Sequence, residues 1–260
     1  MEHRACIRSA VLFAVLTSCT MAAWARPARP LHGAIQLDTI TLMDTQRHRA
    51  LPLAIYSLEG VNARAGSVVV ISHGYNENRP ATYLRFSALA EHLAVHGFTV
   101  LSIQHEAPND EPLPRTGDLR VERLPNWERG VQNIRFVLDT LRQLRPWLDL
   151  DHVHLIGHSN GGDISMLFAE RYPEKVVTAI SLDNLRMPLP RVNKPRIASL
   201  RAMDTTADPG VLPSADEGDS LGIRIIDMPG FKHVDFNDHG TEEQHQRLNR
   251  AVLELLQAVD

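Results

Sequence analysis

The sequence predicts a single α/β domain, in which a mostly parallel, doubly wound β-sheet carries helices on both faces. Short apolar runs alternate with longer segments of helical periodicity from residue 34 to the end of the chain. Strands that alternate with helices are typical of a parallel sheet joined by right-handed crossovers. The 260 residues, of which 43% are hydrophobic and 22% are charged, have the size and composition of one globular domain.

The first half of the domain is predicted to contain a hairpin followed by the start of the parallel sheet. "AIQLDTITLM" and "LPLAIYSL" are the two strands of the hairpin, and the first alternates with period two. The continuously apolar run "SVVVISHG" is typical of a strand buried on both faces. A helix is predicted over "ATYLRFSALAEHLAVHG", where apolar residues recur at helical spacing and Gly97 provides the C-terminal cap.

The second half continues the alternation to the end of the chain. We predict the strand "FTVLSI", a helix over "WERGVQNIRFVLDTLRQL", the strand "HVHLI", a helix over "GGDISMLFAERY", the strands "VVTAISL", "RIASLR" and "GIRIIDM", and a last helix from about Thr241 to Val259. Only about a dozen residues separate "VVTAISL" from "RIASLR", so no large cap domain fits between these strands.

Two long segments, residues 105–126 and 202–220, lack periodicity and are polar and rich in proline. Loops of this length in a compact domain are usually functional or mobile. Both follow the carboxyl ends of predicted strands, which is the side where open α/β sheets bind their ligands. We therefore expect these two loops to determine specificity.

The first 25 residues have the pattern of a secretory signal peptide. Two arginines precede the apolar run "AVLFAVL", and the A-x-A cleavage site "AWA" ends at Ala25. The apolar run is too short to span a bilayer as a permanent helix. We expect cleavage after Ala25, a proline- and arginine-rich linker over residues 26–33, and the folded domain over residues 34–260.

A second cleavage site overlaps the first. "LTSC", which ends at Cys19, resembles a bacterial lipobox, in which Cys19 becomes the lipidated first residue. Both cysteines, Cys6 and Cys19, lie in the leader, so the exported domain has no disulfide and no cysteine nucleophile. We expect a periplasmic or secreted protein, with a lipid anchor at Cys19 as the alternative. The net charge of −4 gives no electrostatic reason to expect nucleic acid or an anionic membrane surface as a partner.

The stretch "HLIGHSNGGD" contains the predicted nucleophile. Ser159 lies between Gly157 and Gly161 in a G-x-S-x-G motif, after a predicted strand and before a predicted helix, which is the context of a nucleophile elbow. Side chains two residues before or after the serine would collide with the neighbouring strand and helix, so glycine is needed at both positions. The helix N-terminus beside Ser159 favours developing negative charge.

A histidine after the last strand is the predicted general base. A serine becomes nucleophilic when a base, oriented by a third group, takes its proton. The motif predicts the chain order serine, acid, histidine. His233 lies in the loop between the last strand and the last helix, and we predict that it is the base. His239, which is closer to the helix start, is the competitor.

The acid is expected after the strand "RIASLR". Asp204 comes directly after that strand, and its spacing from Pro195 at the strand start favours it. Asp208, one loop turn further on, is the alternative acid. Asp183, which ends the preceding strand in "ISLDN", is a third possibility. An aspartate in such a loop also serves as a turn former.

Two backbone N–H groups are expected to stabilise the oxyanion of an acyl-transfer reaction. We predict that Asn160, directly after the nucleophile, donates one and that Tyr75 donates the other, because Gly74 lets the backbone turn toward the site. "SIQHE" ends the fourth strand and places His105 and Glu106 near the pocket mouth, where both are candidate substrate contacts. No metal is expected, because no His-x-x-x-His pair with a glutamate lies on a predicted helix.

These motifs resemble the α/β-hydrolase superfamily from about residue 34 to residue 259. The pairing of "HGYN" with "GHSNGG", together with the N-terminal hairpin, is most similar to the dienelactone-hydrolase, platelet-activating-factor-acetylhydrolase and polyester-hydrolase branches. In the family pattern the acid stands three residues after a glycine that ends its strand. Here Arg201 replaces that glycine, whereas Asp204 keeps the spacing. The resemblance implies an enzyme without a cofactor.

The sequence therefore predicts an exported serine hydrolase that cleaves small carboxylic esters through an acyl-enzyme. A Ser-His-Asp triad would carry the reaction, and a monomer is expected. An amidase or an acyltransferase that uses the same triad is the alternative within this chemistry. A non-catalytic binding protein on the same fold is the alternative outside it, although such a protein has no need for an elbow, a base and an acid in this order.

Overall fold

The computed structural model describes residue 31, residues 33–60 and residues 67–258. The predicted signal peptide, including Cys19, lies outside the described residues, as does most of the predicted linker. Among the described residues, no helix combines the length and the apolar character that crossing a membrane requires.

Eight strands form a single sheet in the order β1-β2-β4-β3-β5-β6-β7-β8. The strands are β1 (Ile35–Asp44), β2 (Arg49–Leu58), β3 (Val68–Ser72), β4 (Thr99–Ile103), β5 (Val153–His158), β6 (Val176–Leu182), β7 (Arg196–Arg201) and β8 (Arg224–Asp227). β2 pairs antiparallel with both β1 and β4, and every later pair is parallel. The predicted hairpin and the mostly parallel sheet are confirmed.

Helices cover both faces of this sheet, as predicted. They are α1 (Ser87–Val95), α2 (Leu119–Leu144), α3 (Asn160–Arg171), α4 (Ala215–Leu221) and α5 (Glu242–Gln257). Buried side chains of α2 and α3 form one core layer with one face of the sheet, and those of α1 and α5 form the other layer. The central strands β3, β4 and β5 are buried on both faces, which is why they read as continuous apolar runs.

The helix predicted from residue 81 is interrupted. A short 3₁₀ helix (Thr82–Leu84) comes first, and α1 begins only at Ser87. The carboxylate of Asp238 accepts hydrogen bonds from the backbone N–H groups of Ser87 (2.9 Å) and Ala88 (3.0 Å). A residue distant in sequence therefore sets the start of α1, which periodicity within the segment could not indicate.

Both segments predicted as loops are partly helical. α2 begins at Leu119, eight residues before the predicted start, because Asp118 caps it by accepting a hydrogen bond from the N–H of Arg120 (3.1 Å). Pro125 lies inside this helix at the cost of one backbone hydrogen bond. α4 occupies the end of the second segment, and the side chain of Ser214 caps it. The chain between β6 and β7 is short, and the described residues form no large cap over the sheet.

Candidate active site

Ser159 lies in a sharp turn between β5 and α3. Its backbone has φ 52° and ψ −121°, a left-handed conformation that is strained for a residue with a side chain. A Cβ at Gly157 would lie 2.1 Å from the carbonyl oxygen of Gly161, and a Cβ at Gly161 would lie 2.1 Å from the carbonyl oxygen of Ser72. Both positions therefore require glycine, and the tight turn holds the serine hydroxyl at the carboxyl edge of the sheet.

His233 approaches Ser159 from the segment after β8. It begins a short 3₁₀ helix (His233–Phe236), whose last residue is fully buried and anchors the segment. Nε2 of His233 lies 2.9 Å from Oγ of Ser159, so the serine hydroxyl donates a hydrogen bond to the ring. His239 is exposed, and its ring is in contact with the guanidinium of Arg85. The structure thus brings His233, and not its competitor, to the serine.

The carboxylate that contacts the other ring nitrogen belongs to Asp183. Nδ1 of His233 donates a hydrogen bond to Oδ2 of Asp183 at 2.6 Å. Asp183 follows β6 directly and has a positive φ of 60°. β6 is the neighbour of β5 in the sheet, so an acid at its end lies next to the end of the nucleophile strand. Ser159, His233 and Asp183 form one chain of hydrogen bonds.

Asp183 is held as a carboxylate by its surroundings. It is fully buried, and burial alone raises the pKa of its carboxyl group. Hydrogen bonds from His233 and from the hydroxyl of Thr205 (2.6 Å), the charge of Arg201 (2.9 Å away) and the N–H of Ala202 (3.1 Å) oppose this effect and bring the pKa below its ordinary value. The group is therefore ionised at neutral pH.

The structure does not place Asp204 or Asp208 at the ring of His233, whereas Asp183, the third possibility, contacts it. Asp204 contacts His233, but its Oδ1 accepts the backbone N–H of His233 (2.7 Å) rather than a ring proton. Asp208 forms an ion pair with Arg186 and does not contact His233. Arg201, at the end of β7, forms an ion pair with Asp183 (2.9 Å) and holds its carboxylate beside the ring of His233. Arg201, which stands where the resembled pattern has a glycine, is thus the residue whose charge contacts Asp183.

The exit of β3 passes directly over the nucleophile. A Cβ at Gly74 would lie 2.7 Å from Nδ1 of His158 and 3.2 Å from Cβ of Ser159, so the backbone approaches the site as closely as glycine permits. Tyr75 follows and lines the same pocket as Ser159. Asn160 is the first residue of α3, where backbone N–H groups have no acceptor within the helix. The two N–H groups predicted as oxyanion donors therefore belong to segments on either side of Ser159.

The side chain of Asn160 is buried in a polar network behind the nucleophile. Its amide nitrogen donates to Oε1 of Glu106 (3.2 Å) and to Oδ1 of Asn126 (2.9 Å), and its amide oxygen accepts the indole N–H of Trp127 (2.9 Å). These residues are at most 8% exposed. The network anchors the first turn of α3 to the start of α2, and sequence reasoning found only Asn160 and Glu106 of its four members.

His105 and Glu106 do not lie at the pocket mouth, which corrects their prediction as substrate contacts. They are 1% and 2% exposed, and neither is among the residues that line the pocket. His105 bonds to Oγ of Ser72 (3.0 Å) and donates its backbone N–H to the ring of His73 (3.0 Å). Burial raises the pKa of Glu106 above its ordinary value, although His73 opposes this shift. Both residues therefore hold neighbouring parts of the site through hydrogen bonds, His105 at the exit of β3 and Glu106 at Asn160.

His158, the residue before the nucleophile, was not singled out in the sequence. Its Nε2 donates to the backbone carbonyl oxygen of His233 (2.8 Å), and the two rings pack with centroids 4.9 Å apart. Burial, followed by the neighbouring His233, lowers the pKa of His158 to about 3. The ring is therefore neutral at physiological pH and holds the backbone of His233 by a hydrogen bond. Its place inside the G-x-S-x-G motif is the signal that could have identified it.

An open pocket of about 230 Å³ surrounds Ser159 and His233. Its wall includes Tyr75, Arg85 and Phe86, of which sequence reasoning found only Tyr75. Within the described part of the chain, no group of three or more histidine, cysteine, aspartate or glutamate side chains is arranged to hold a metal ion. The arrangement can perform chemistry that needs an activated hydroxyl, a base and donors for a developing negative charge.

Comparison with known proteins agrees with this geometry. The family model described as serine aminopeptidase, S33, matches residues 63–191, which include the exit of β3, the elbow and Asp183. This match spans just under half of the chain, and the sheet order and helix layers described above are those of the α/β-hydrolase fold. The resemblance inferred from the sequence is thereby confirmed.

Individual relatives share the fold at low sequence identity. An esterase from Pyrobaculum calidifontis is 14% identical with a TM-score of 0.59, and the match covers 87% of this chain and 85% of that chain. A dienelactone hydrolase from Anabaena variabilis is 15% identical with a TM-score of 0.52, covering 85% and 96%. A curated relative, ethanol acetyltransferase 1 from Eremothecium cymbalariae, is 42% identical over 57 residues, which are 22% of this chain and only 16% of that protein.

Proposed function

We propose that this protein is a serine hydrolase that cleaves carboxylic esters through a covalent acyl-enzyme. The observation that carries the proposal is the continuous hydrogen-bonded chain from Oγ of Ser159 through His233 to the buried carboxylate of Asp183. A nucleophile, a base and an orienting acid in this order are the parts that acyl transfer requires. The esterase and dienelactone hydrolase among the structural relatives support the same chemistry.

Acylation begins when Nε2 of His233 takes the proton of the Ser159 hydroxyl. Oγ forms a bond to the ester carbonyl carbon, and the electron pair of the C=O double bond moves to the oxygen. The backbone N–H groups of Tyr75 and Asn160 donate to this oxyanion. The ionised Asp183 stabilises the imidazolium of His233 and holds its Nδ1 proton in place.

The intermediate then collapses and the enzyme is regenerated. The bond between the carbonyl carbon and the alcohol oxygen breaks, and the leaving oxygen takes the proton from Nε2 of His233. Water attacks the acyl-enzyme in the same way, with His233 as the base. The acid product leaves and Ser159 regains its proton. The neutral ring of His158 keeps the backbone of His233 fixed during both half-reactions.

Covalent labelling with a fluorophosphonate tests the proposal. We expect Ser159 to be labelled, because only an activated serine attacks phosphorus rapidly. Ser159→Ala should abolish labelling and lower kcat for 4-nitrophenyl acetate by about three orders of magnitude or more. Ser220→Ala, at an exposed serine of α4, is the matched control and should behave as wild type. Equal labelling of Ser159→Ala and wild type would contradict the proposal.

Acyl transfer to an alcohol is the second candidate function. The local similarity to ethanol acetyltransferase 1 favours it, since the same acyl-enzyme can be attacked by an alcohol instead of water. The two functions differ in the product. If hydrolysis is the main reaction, an excess of ethanol over a 4-nitrophenyl ester should leave free acid as the main product. Ethyl ester as the main product would make this chain a transferase.

We further propose that the protein is exported by its first 25 residues, as a plain secreted or periplasmic protein or through a lipid anchor at Cys19. The basic residues, the apolar run and the A-x-A site support this proposal. The mass of the mature protein distinguishes the two routes, because lipidation adds acyl chains to a chain that starts at Cys19. A mature protein that retains Met1 would contradict export.

A further inference from the structure

Arg85 brings a positive charge into the pocket that contains Ser159. Its half-buried side chain lines the same cavity as Ser159, His233 and Tyr75, and it lies between the first 3₁₀ helix and α1. None of the described residues that line this cavity is an aspartate or a glutamate. The pocket is therefore cationic, although the chain as a whole has a net charge of −4.

The guanidinium group of Arg85 has N–H donors that bind no other described residue. Arginine has five N–H donors and no acceptor. Within the part of the chain that the structure describes, its side chain makes one hydrogen bond, to Nε2 of His239, and no ion pair. Arginine can only donate, so the ring nitrogen of His239 is the acceptor in this contact. This contact leaves the positive charge of Arg85 without a negative partner.

The nearby carboxylates are occupied elsewhere. Asp238 donates its backbone N–H to the carbonyl oxygen of Arg85 (2.9 Å), but its carboxylate caps α1. It accepts from the N–H of Ser87 (2.9 Å), the hydroxyl of Ser87 (2.7 Å) and the N–H of Ala88 (3.0 Å). Asp183 is fully buried behind His233, where Arg201 holds it. An anion that enters the pocket is thus the available partner for Arg85.

We propose that Arg85 binds a carboxylate of the substrate, so that the preferred substrates are small esters whose acyl or alcohol part carries a carboxylate. This inference rests on the proposed ester hydrolysis. A guanidinium group binds a carboxylate through two parallel hydrogen bonds, which fixes orientation as well as charge. Phe86 and Tyr75 supply apolar wall for the carbon skeleton, and the volume of about 230 Å³ keeps the carboxylate close to the scissile bond.

Two matched substrate pairs test this preference. 4-Carboxyphenyl acetate and 4-carbamoylphenyl acetate have the same shape and differ in charge on the alcohol side. Monomethyl adipate and methyl 5-carbamoylpentanoate differ in the same way on the acyl side. The measurement is kcat/KM for all four esters with wild type, Arg85→Gln and Arg79→Gln. Arg79 lies on the same connection between β3 and α1, is exposed, pairs with Glu77 and does not line the pocket.

The ratio of anionic to neutral kcat/KM is the quantity that decides. In at least one pair, Arg85→Gln should lower this ratio by about tenfold or more relative to wild type, mainly through KM, because a charge-assisted bond is lost. Arg79→Gln should leave the ratio unchanged. Comparison between variants cancels the intrinsic reactivity of each ester. Raising the salt concentration from about 0.05 M to about 0.5 M should lower the ratio in wild type more than in Arg85→Gln.

The outcomes separate this inference from the proposed function. If wild type hydrolyses the neutral esters and the ratio in both pairs is the same for Arg85→Gln and wild type, carboxylate recognition by Arg85 is overturned and ester hydrolysis stands. If none of the variants hydrolyses any ester, both proposals are overturned. Circular dichroism of Arg85→Gln shows whether the variant is folded.

Discussion

Asp183 and Asp204 both contact His233, but they contact different atoms. Asp183 accepts the ring proton at Nδ1, and Asp204 accepts the backbone N–H. An acid that orients a histidine must hold one ring tautomer and stabilise the imidazolium, and only Asp183 is placed for this task. Asp204 positions the segment that carries the ring.

Substitution of the three aspartates should separate these roles. We expect Asp183→Asn to lower kcat by about three to four orders of magnitude with the fold intact, because the wrong histidine tautomer is favoured. Asp204→Asn should lower kcat by about tenfold or less, through a looser His233 backbone. Asp208→Asn, which loses only the ion pair with Arg186, is the control. The measurements are kcat and circular dichroism. A large loss of kcat in Asp204→Asn together with a nearly unchanged kcat in Asp183→Asn would contradict the assignment.

A buried carboxyl group at the start of α3 should make stability depend on pH. Asp163 is 1% exposed, and burial raises its pKa to about 6 despite hydrogen bonds from the backbone N–H groups of Met187 and Arg186 and from the amide of Asn184. The pKa of an unfolded aspartate is about 3.9. The folded state thus binds the proton more tightly, so this contribution to stability is fully present below about pH 4 and is lost as the pH rises through about 6.

Asp163→Asn should remove that dependence, because the amide resembles the protonated acid and keeps an acceptor oxygen. We expect the variant to gain about 1–3 kcal/mol in unfolding free energy relative to wild type between about pH 4 and pH 8. Urea unfolding at several pH values measures this difference, and other titrating groups cancel in the comparison. A difference that stays constant over this range would show that Asp163 is ionised in the folded protein throughout.

At the scale of elements, the turn at Ser159 brings the backbones of β3, β5 and α3 into close contact. A Cβ at Gly161 would lie 2.1 Å from the carbonyl oxygen of Ser72 and 2.4 Å from that of His73. These carbonyls belong to the exit of β3, which leads to Tyr75. The geometry of Ser159 and the position of Tyr75, a predicted oxyanion donor, are therefore coupled through a single close approach.

Gly161→Ala should damage both stability and activity. The added methyl group must push β3 away from α3, so we expect a loss of about 1–3 kcal/mol or more in unfolding free energy, as for overpacked cores. The activity of the folded fraction should fall as Tyr75 moves. Gly218→Ala is the matched control, because a Cβ there has no neighbour closer than 3.5 Å and alanine favours helix α4. Thermal unfolding and kcat are the measurements. A Gly161→Ala variant as stable and active as wild type would contradict the close approach.

At the scale of the whole molecule, the described residues leave the carboxyl edge of the sheet without a large cap. The chain passes from β6 to β7 through a short segment, and this segment is held by Asp163 and Asn184 rather than extended over the site. The pocket volume of about 230 Å³ is below the roughly 300–1,000 Å³ that is typical of small-molecule sites. Little apolar surface is available to cover an extended acyl chain.

Short acyl esters should therefore be hydrolysed faster than long ones. In a series of 4-nitrophenyl esters, we expect kcat/KM to be highest for acetate to butyrate and to fall as the chain lengthens, because added methylene groups extend beyond the small pocket into water. The series should be measured below the aggregation limit of the longer esters, with Ser159→Ala as the blank. A strong preference for acyl chains of about ten or more carbons would point to a cover over the site that the described residues do not provide.

The sequence by itself determined the fold class, the strand order along the chain, the nucleophile motif and the histidine that contacts the serine. These features depend on local patterns. An apolar run indicates a buried strand, and a G-x-S-x-G motif indicates a tight turn whose backbone leaves no room for a side chain at either glycine. Only the tertiary structure decided which aspartate contacts the ring of His233, which side chains form the supporting network and which charge lines the pocket. Asp183, Asp204 and Asp208 look alike in the chain, and only the packing of β6 between β5 and β7 places one of them at the ring. His158, Trp127 and Arg85 likewise act on partners far away in sequence, and such contacts leave no periodic signal.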